Sequence, residues 1–540
     1  MRKTRSSGKP GFPGNRRFAT ALVVSTLAGT GLAACGGQDD LGLRSAENAE
    51  GTPRAQAAER TADHAKITWG TCPEPAGEAS RNPRLTCGTM KVPLNYRDPD
   101  GTKIDVAVSR LATAKPGKRR GVLLLNPGGP AVGGLGMPAT MAPTLPKSVL
   151  NSYDLIGFDP RGVAHSTPQS CGLQDPSVPG LFPYPAADGS ITQNVAAAKA
   201  DAEKCADTAG DDLRHFTTAN TARDMDRIRQ ALGERKISYW GQSYGTYLGA
   251  VYRSLFQDRT DRMILEGNID PTKAWADQLA TWGKGMADRF PDAAAVAAAQ
   301  DGTLGLGDSV EQVTRSYLTL ADRLDREPVP VPGASLSLDG PLLRSITYGM
   351  LQRNETLPPL VGFWKAAAAL ADGSATDADK EVLQQILAGT PRAPGVPADN
   401  QATMFLALLC GDAEWSQDTD GYAARTAADR KAWPLTAGMP ANIWACAYWK
   451  KPVEQPVTVT GEGPRNTLIL QNRRDNATPW EGGTGLHKAL GDGSAFVGVD
   501  NGGHYVYNAG SACADKATVG FLTTGHLPRK DVYCTDVKRK

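Results

Sequence analysis

Ile237-Ser238-Tyr239-Trp240-Gly241-Gln242-Ser243-Tyr244-Gly245, running on into Thr246 to Leu255, is the stretch on which the fold turns. A short apolar run that favours a strand enters a Gly-x-Ser-x-Gly turn and leaves it as a helix-forming segment. A strand bent this sharply into a helix pushes its turn residue out of the sheet edge, and the flanking glycines tolerate the crowded backbone. Ser243 is thereby displayed as a nucleophile. The pentapeptide alone is weak evidence in a chain holding 59 glycines among 540 residues, so its setting must carry the argument.

A serine hydroxyl needs a general base, and the base needs a partner that fixes its tautomer. The chain has six histidines. His64 lies in an N-terminal linker, His215 precedes a helix start, His487 sits in a predicted helix and His526 in a C-terminal turn. His165 follows Arg161-Gly162-Val163-Ala164 on a loop. His504 differs from all of these: it follows the strand-like Phe496-Val497-Gly498-Val499 and the loop Asp500-Asn501-Gly502-Gly503. It is the candidate base, with a structural loop histidine as the alternative. The acid should also follow a strand. Asp475 does so, after Thr467-Leu468-Ile469-Leu470-Gln471, although an Asx-turn or N-cap aspartate would look the same.

Acyl transfer further requires donors aimed at a developing oxyanion. The strand Gly121-Val122-Leu123-Leu124-Leu125 runs into Asn126-Pro127-Gly128-Gly129-Pro130, so the N–H of Gly128 or Gly129 is expected to join that of Tyr244. A phosphate cradle is the competing reading of this loop, but no Lys-Ser/Thr follows.

Taken together, these residues resemble the secreted bacterial tripeptidyl aminopeptidases, a branch of the α/β-hydrolases related to prolyl aminopeptidases. The resemblance rests on Asn126 to Pro130, Asp159-Pro160-Arg161-Gly162, Thr217 to Asp224 through Ser243-Tyr244-Gly245-Thr246, Asp475 with His504, and the closing pattern Gly510 to Cys513, Gly525 to Pro528 and Cys534. It covers most of the chain from about residue 66. Two departures stand out: Ala131-Val132 where relatives continue with glycine, and Val163-Ala164-His165-Ser166 where they have Gly-x-Ser. The resemblance implies an α/β-hydrolase fold, a mainly parallel sheet flanked by helices with a large helical lid insertion. It also implies a serine exopeptidase that releases short peptides, tripeptides above all, from a free N-terminus, without cofactor or metal. Carboxylates are then needed to hold the substrate ammonium group. The candidates are Glu266 at a strand end, and Asp412 and Glu414 in Cys410-Gly411-Asp412-Ala413-Glu414-Trp415, with solvated surface acids as the alternative. Trp275, Trp282, Trp415 and Trp444 are candidates for apolar subsites or for core packing. The rival functions are an esterase, amidase or endopeptidase using the same triad, and a non-catalytic solute-binding lipoprotein.

Strand-like runs at 104–112, 121–125, 153–158, 237–241, 263–267, 467–471 and 495–499 fit the mainly parallel sheet. One helix is expected with Thr221 as cap, Met225, Ile228 and Leu232 as apolar face, and Gly233 at its end. Helices including Val310 to Leu324 and Leu357 to Ala371, broken by Pro328 to Pro332, fill the stretch taken as the lid. The expected division is 1–35 signal, 36–65 tether, 66–271 core, 272–455 lid and 456–540 core.

A 40% apolar content can bury a large core, and a net charge of +2 gives no reason to invoke nucleic acid. A monomer acting on peptides is expected. Arg2, Lys3, Arg5, Lys9, Arg16 and Arg17 precede the apolar run Phe18 to Ala34, which ends in Leu32-Ala33-Ala34-Cys35-Gly36. This resembles a lipoprotein signal with Cys35 lipidated, an ordinary secretory peptide being the alternative, and Arg16-Arg17-Phe18 hints at twin-arginine export. Export to the outer face of the membrane or beyond follows, with membrane contact through the lipid anchor alone. Setting Cys35 aside leaves eight cysteines, compatible with disulfides in an oxidising compartment. Local pairs are expected: Cys72 with Cys87, Cys171 with Cys205, Cys410 with Cys446, and Cys513 with Cys534. Zinc is disfavoured, because no C-x-x-C or H-E-x-x-H spacing occurs.

Overall fold

The computed structural model describes residues 66–73, 82–175, 177–334, 336–388 and 393–537. The proposed signal, Cys35 and the tether lie outside them. Within them, strands β1 (Thr68–Gly70), β2 (Leu85–Pro93), β3 (Lys103–Leu111), β4 (Gly121–Asn126), β5 (Tyr153–Phe158), β6 (Ile237–Gln242), β7 (Thr260–Glu266), β8 (Thr467–Arg474), β9 (Ser494–Gly502) and β10 (Val532–Cys534) form one sheet. Its spatial order is β1-β2-β3-β5-β4-β6-β7-β8-β9-β10. From β5 through β10 every pairing is parallel, and β1, β2 and β3 join antiparallel at one edge. β4 and β5 are buried at every position, as expected for strands covered on both faces by helices.

The chain leaves β4, builds outward to β5, and returns to lay β6 on the other side of β4. That reversal opens a crevice beyond the carboxyl ends of β4 and β6, where open α/β sheets bind ligands. Asn126 pairs with Gly241 in register, so the loop after β4 and the turn at Ser243 emerge side by side.

The helix expected around Met225 spans Thr218–Ala231, and its cap is Thr217, not Thr221. Thr217 has extended backbone and accepts from Asn220 N, whereas Thr221 already lies inside the helix, donating its hydroxyl to Thr217 O. Two motif residues explain each other here. Arg161 is fully buried and forks onto both oxygens of Asp224 at 2.7 and 2.6 Å, while its remaining donors reach the carbonyls of Pro93, Leu94 and His215. Such a buried charge is tolerable because every donor is satisfied.

Between β7 and β8 the chain is helical, and it does two different jobs. Helices Trp282–Ala298, Val310–Arg326, Gly340–Met350 and Leu357–Ala371 form their own apolar cluster, with Phe290, Tyr317 and Trp364 packed ring against ring. Helix Asn400–Asp412 instead belongs to the main core. Asp399 and Asn400 fasten it there: the Asp399 carboxylate accepts from Cys171 N, Leu173 N and Ser170, and Asn400 bonds to Gly162, Ala164 and Gln169. The four expected disulfides are formed: Cys72–Cys87, Cys171–Cys205, Cys410–Cys446 and Cys513–Cys534. They place the protein in an oxidising compartment. Among the described residues, no helix is long and apolar enough to cross a membrane.

Candidate active site

Ser243 stands between β6 and helix Tyr244–Leu255 at φ +56, a strained value for a residue with a side chain. The turn survives because its neighbours are glycines where space is shortest. A Cβ on Gly241 would collide with Gly245 O, and one on Gly245 would lie 2.7 Å from Asn126 Oδ1. The strain is clamped by Ser243 N donating to Glu266 O at 2.9 Å, and by Thr246, which bonds back to Ser243 O.

His504 comes from the end of β9 and Asp475 from the end of β8, and both are almost fully buried. His504 Nδ1 lies 2.9 Å from Asp475 Oδ2 and 3.0 Å from Oδ1. The carboxylate also accepts from Ala477 N, Thr478 N and the Thr478 hydroxyl at 2.9, 3.0 and 2.8 Å. It is thus an Asx-turn aspartate and the histidine's partner at once. This fixes the proton of His504 on Nδ1 and leaves Nε2 toward the cavity. The histidine loop is held from several sides. Asn472 donates to Gly503 O and Tyr505 O at 2.8 Å each, and His504 N donates to Gln352 O, in the helical insertion, at 2.7 Å. Ser243 and His504 are walls of one cavity of about 300 Å³. The histidine–carboxylate half of the relay is closed by hydrogen bonds, and the serine–histidine half is a shared wall, as is common before substrate binds.

Of the two glycines expected to offer an N–H after β4, one is already engaged. Gly128 N already donates to Asn126 Oδ1 at 3.0 Å, so it has no proton to offer an oxyanion. Its function is to be small: a Cβ there would sit 2.8 Å from Ser243 Cβ and 3.1 Å from Tyr244 N. Gly129, which lines the cavity, and Tyr244, at the first turn of its helix, are the remaining candidates for the donor pair.

None of the three acids expected to bind an ammonium group reaches the cavity. Glu266 is buried and spent on four N–H donors. Asp412 is buried too, accepting from Thr218 N, the Thr218 hydroxyl and Trp275 Nε1, and burial raises it to about 6. Glu414 points to solvent, paired with Lys451 at 2.7 Å. Of the tryptophans, Trp275 and Trp282 line the cavity together with Phe182, Tyr348 and Phe405, Trp415 lines a separate one, and Trp444 packs behind Phe182 and Phe405. His165 is turned to Asp159, its Nδ1 2.9 Å from the carboxylate, and does not line this cavity.

Three residues went unread in the sequence. Thr478 touches both Asp475 and His504 Nδ1, the latter at 3.2 Å. Gln471 donates to Asp475 at 3.3 Å and Asn472 holds the histidine loop. The signal available was three polar residues in and just beyond an otherwise apolar strand. A second, more polar cavity shares Pro127, Gln352 and Tyr505 with the first and carries Arg353, stacked 4.0 Å over Tyr505, and Glu355.

The chain matches two family models, the α/β hydrolase fold over residues 121–330 and the TAP-like protein over residues 435–534. It is 34% identical to a tripeptidyl aminopeptidase of Streptomyces lividans, covering 89% of this chain and 88% of the relative. Identity is 29% to the serine protease Hip1 of Mycobacterium bovis, over 87% of this chain and 91% of that one. With carboxylesterase B of Mycobacterium tuberculosis it is 31%, over 86% and 89%. With the elbow, the histidine and the carboxylate gathered at one sheet edge, the chain belongs to the tripeptidyl aminopeptidase family of α/β-hydrolases and is a serine peptidase.

Proposed function

We propose that Ser243 is the nucleophile, His504 the general base and Asp475 the orienting carboxylate of an exported exopeptidase that releases short peptides, tripeptides first, from free N-termini. The observation that carries the triad is the buried His504–Asp475 pair opening onto the cavity that Ser243 shares. His504 takes the serine proton as Ser243 attacks the scissile carbonyl, then returns it to the leaving amine. Water hydrolyses the acyl-enzyme with the same base. Gly129 N–H and Tyr244 N–H receive the oxyanion.

Amine recognition needs a carboxylate within reach, and among the described residues Glu355, on the wall of the adjoining cavity and paired with Arg353 at 3.4 Å, is the candidate. The aromatic walls around Ser243 favour bulky apolar substrate side chains. A second reading, hydrolysis of ester, amide or internal peptide bonds without amine recognition, is favoured by the wall of the Ser243 cavity, which carries no Asp or Glu among the described residues. Mass spectrometry of products from a defined peptide, free and N-acetylated, separates the two. Tripeptides from the free form alone support the exopeptidase, and equal cleavage of both forms refutes it. Fluorophosphonate labelling that persists in Ser243→Ala would refute the nucleophile. Anchoring through Cys35 is part of the same proposal, tested by mass change of the membrane-associated protein in Cys35→Ala.

A further inference from the structure

Glu266 ends β7 with its carboxylate in the interior, 1% exposed. Its partners are N–H groups on every side. Oε2 accepts from the Trp240 indole and the Gln242 amide, each at 2.9 Å, both from the strand that leads into Ser243. Oε1 accepts from the backbone N–H of Val506 at 2.6 Å and of Tyr507 at 2.8 Å, in the loop that follows His504. Its own main-chain oxygen takes the N–H of Ser243. The next residue, Gly267, has φ +65, and a Cβ on it would lie 3.0 Å from both Nδ1 and Cε1 of His504. The end of β7 therefore lies under the imidazole and beside the elbow at once.

We propose that Glu266 is a positioning residue for acyl transfer: a buried anion that ties the loop after His504 to the strand carrying Ser243 and so sets the distance between the two side chains. It lines neither cavity and touches no substrate. A carboxylate suits the place because both its oxygens only accept, which four converging N–H donors require. An amide cannot replace it. Glutamine offers acceptance at one end alone, so its NH₂ must face either the Trp240 and Gln242 donors or the Val506 and Tyr507 donors. The loop or the elbow then loses its anchor. Because the reacting atoms must be held to within a fraction of an ångström, such slack is read in the rate and not in binding. The inference rests on acyl transfer at Ser243 and is independent of whether tripeptides are released.

The test compares wild type, Glu266→Gln and Glu266→Asp, with an activated ester, a peptide substrate and a fluorophosphonate probe. With E266Q folded by circular dichroism and melting temperature, kcat and the labelling rate constant should both fall about 10- to 100-fold while KM stays within about twofold. E266D, which keeps the charge on a shorter arm, should recover part of the loss. Folded E266Q with kcat and labelling within about threefold of wild type overturns the proposal, as does a loss confined to KM. If E266Q does not fold, the decision passes to E266D and the downfield Nδ1 proton resonance of His504. A broadened or shifted resonance with reduced kcat supports the proposal, and a wild-type resonance with wild-type kcat overturns it. Wild-type protein inert to the ester, the peptide and the probe alike would instead refute acyl transfer itself.

Discussion

Gly128→Ala separates two roles that a glycine beside an oxyanion hole can play. If Gly128 were a hydrogen-bond donor, alanine would serve as well, since it keeps the N–H. The geometry assigns it a steric role. An added methyl would stand 2.8 Å from Ser243 Cβ and 2.3 Å from Gln242 O, so the loop must retreat by about 1.1 Å to reach the 3.4 Å of ordinary contact. The backbone at this position, φ +88, resists an L side chain as well, at about 1–2 kcal/mol. Donors stabilise an oxyanion only near 2.7–3.1 Å, and loss of one costs about 10²- to 10³-fold in kcat. Moving Gly129 with the loop should therefore lower kcat about 100-fold, roughly 2.7 kcal/mol of transition-state stabilisation. KM and the Asp475–His504 pair should stay intact. Steady-state kinetics on a chromogenic peptide, with a thermal melt to show that the variant is folded, gives the result. A folded G128A with kcat within threefold of wild type would falsify the steric assignment.

Thr478→Val keeps shape but removes the hydroxyl bonded to Asp475 at 2.8 Å, while Ala477 N and Thr478 N still hold the carboxylate. A bond to a charged acceptor is worth about 1.5–3 kcal/mol, so kcat/KM should fall at least about tenfold through kcat, and a loss expressed in KM alone would count against this role. Asp412 supplies a pH test. Burial raises it to about 6 from its usual 3.8, against hydrogen bonds from Thr218 and Trp275 that lower it. Between those values the native state holds the proton more tightly than the unfolded chain, so this group's contribution to stability is lost as pH rises through about 4 to 6. Asp412→Asn abolishes that titration, so wild type should lose up to roughly 3 kcal/mol relative to the variant between pH 4 and 7. Urea midpoints measured across that range test it, and a pH-independent difference would refute it.

That Ser243, Asp475 and His504 emerge at one sheet edge was legible in the sequence, because each comes directly or within two residues after a strand and parallel strands deliver such loops to one edge. Local pattern carried that far. It also led to helices at Val310 to Leu324, which runs on to Arg326, and at Leu357–Ala371, whose apolar faces repeat at helical spacing. It failed where meaning depends on distant partners. Glu266 reads as an acid at a strand end, and only the approach of residues 506 and 507 shows that it is already satisfied. Asp412 reads as part of a polar segment, but its donors come from Thr218 and Trp275. Gly128 and Gly129 are alike in sequence, and what separates them is the Asn126 side chain that takes the Gly128 N–H and the contact of Gly128 with Ser243. β2 was missed because Gly88 and the threonines around it dilute its apolar alternation. The glycine is there because a Cβ would meet the Ile67 side chain at 2.5 Å.

The main-chain bond from His504 to Gln352 has a mechanical corollary. Gln352 lies in the short connection between Gly340–Met350 and Leu357–Ala371, two helices of the cluster, so any shift of those helices would also load the backbone that carries the base. Mild denaturant that loosens 282–371 should silence the enzyme while the sheet beneath remains whole.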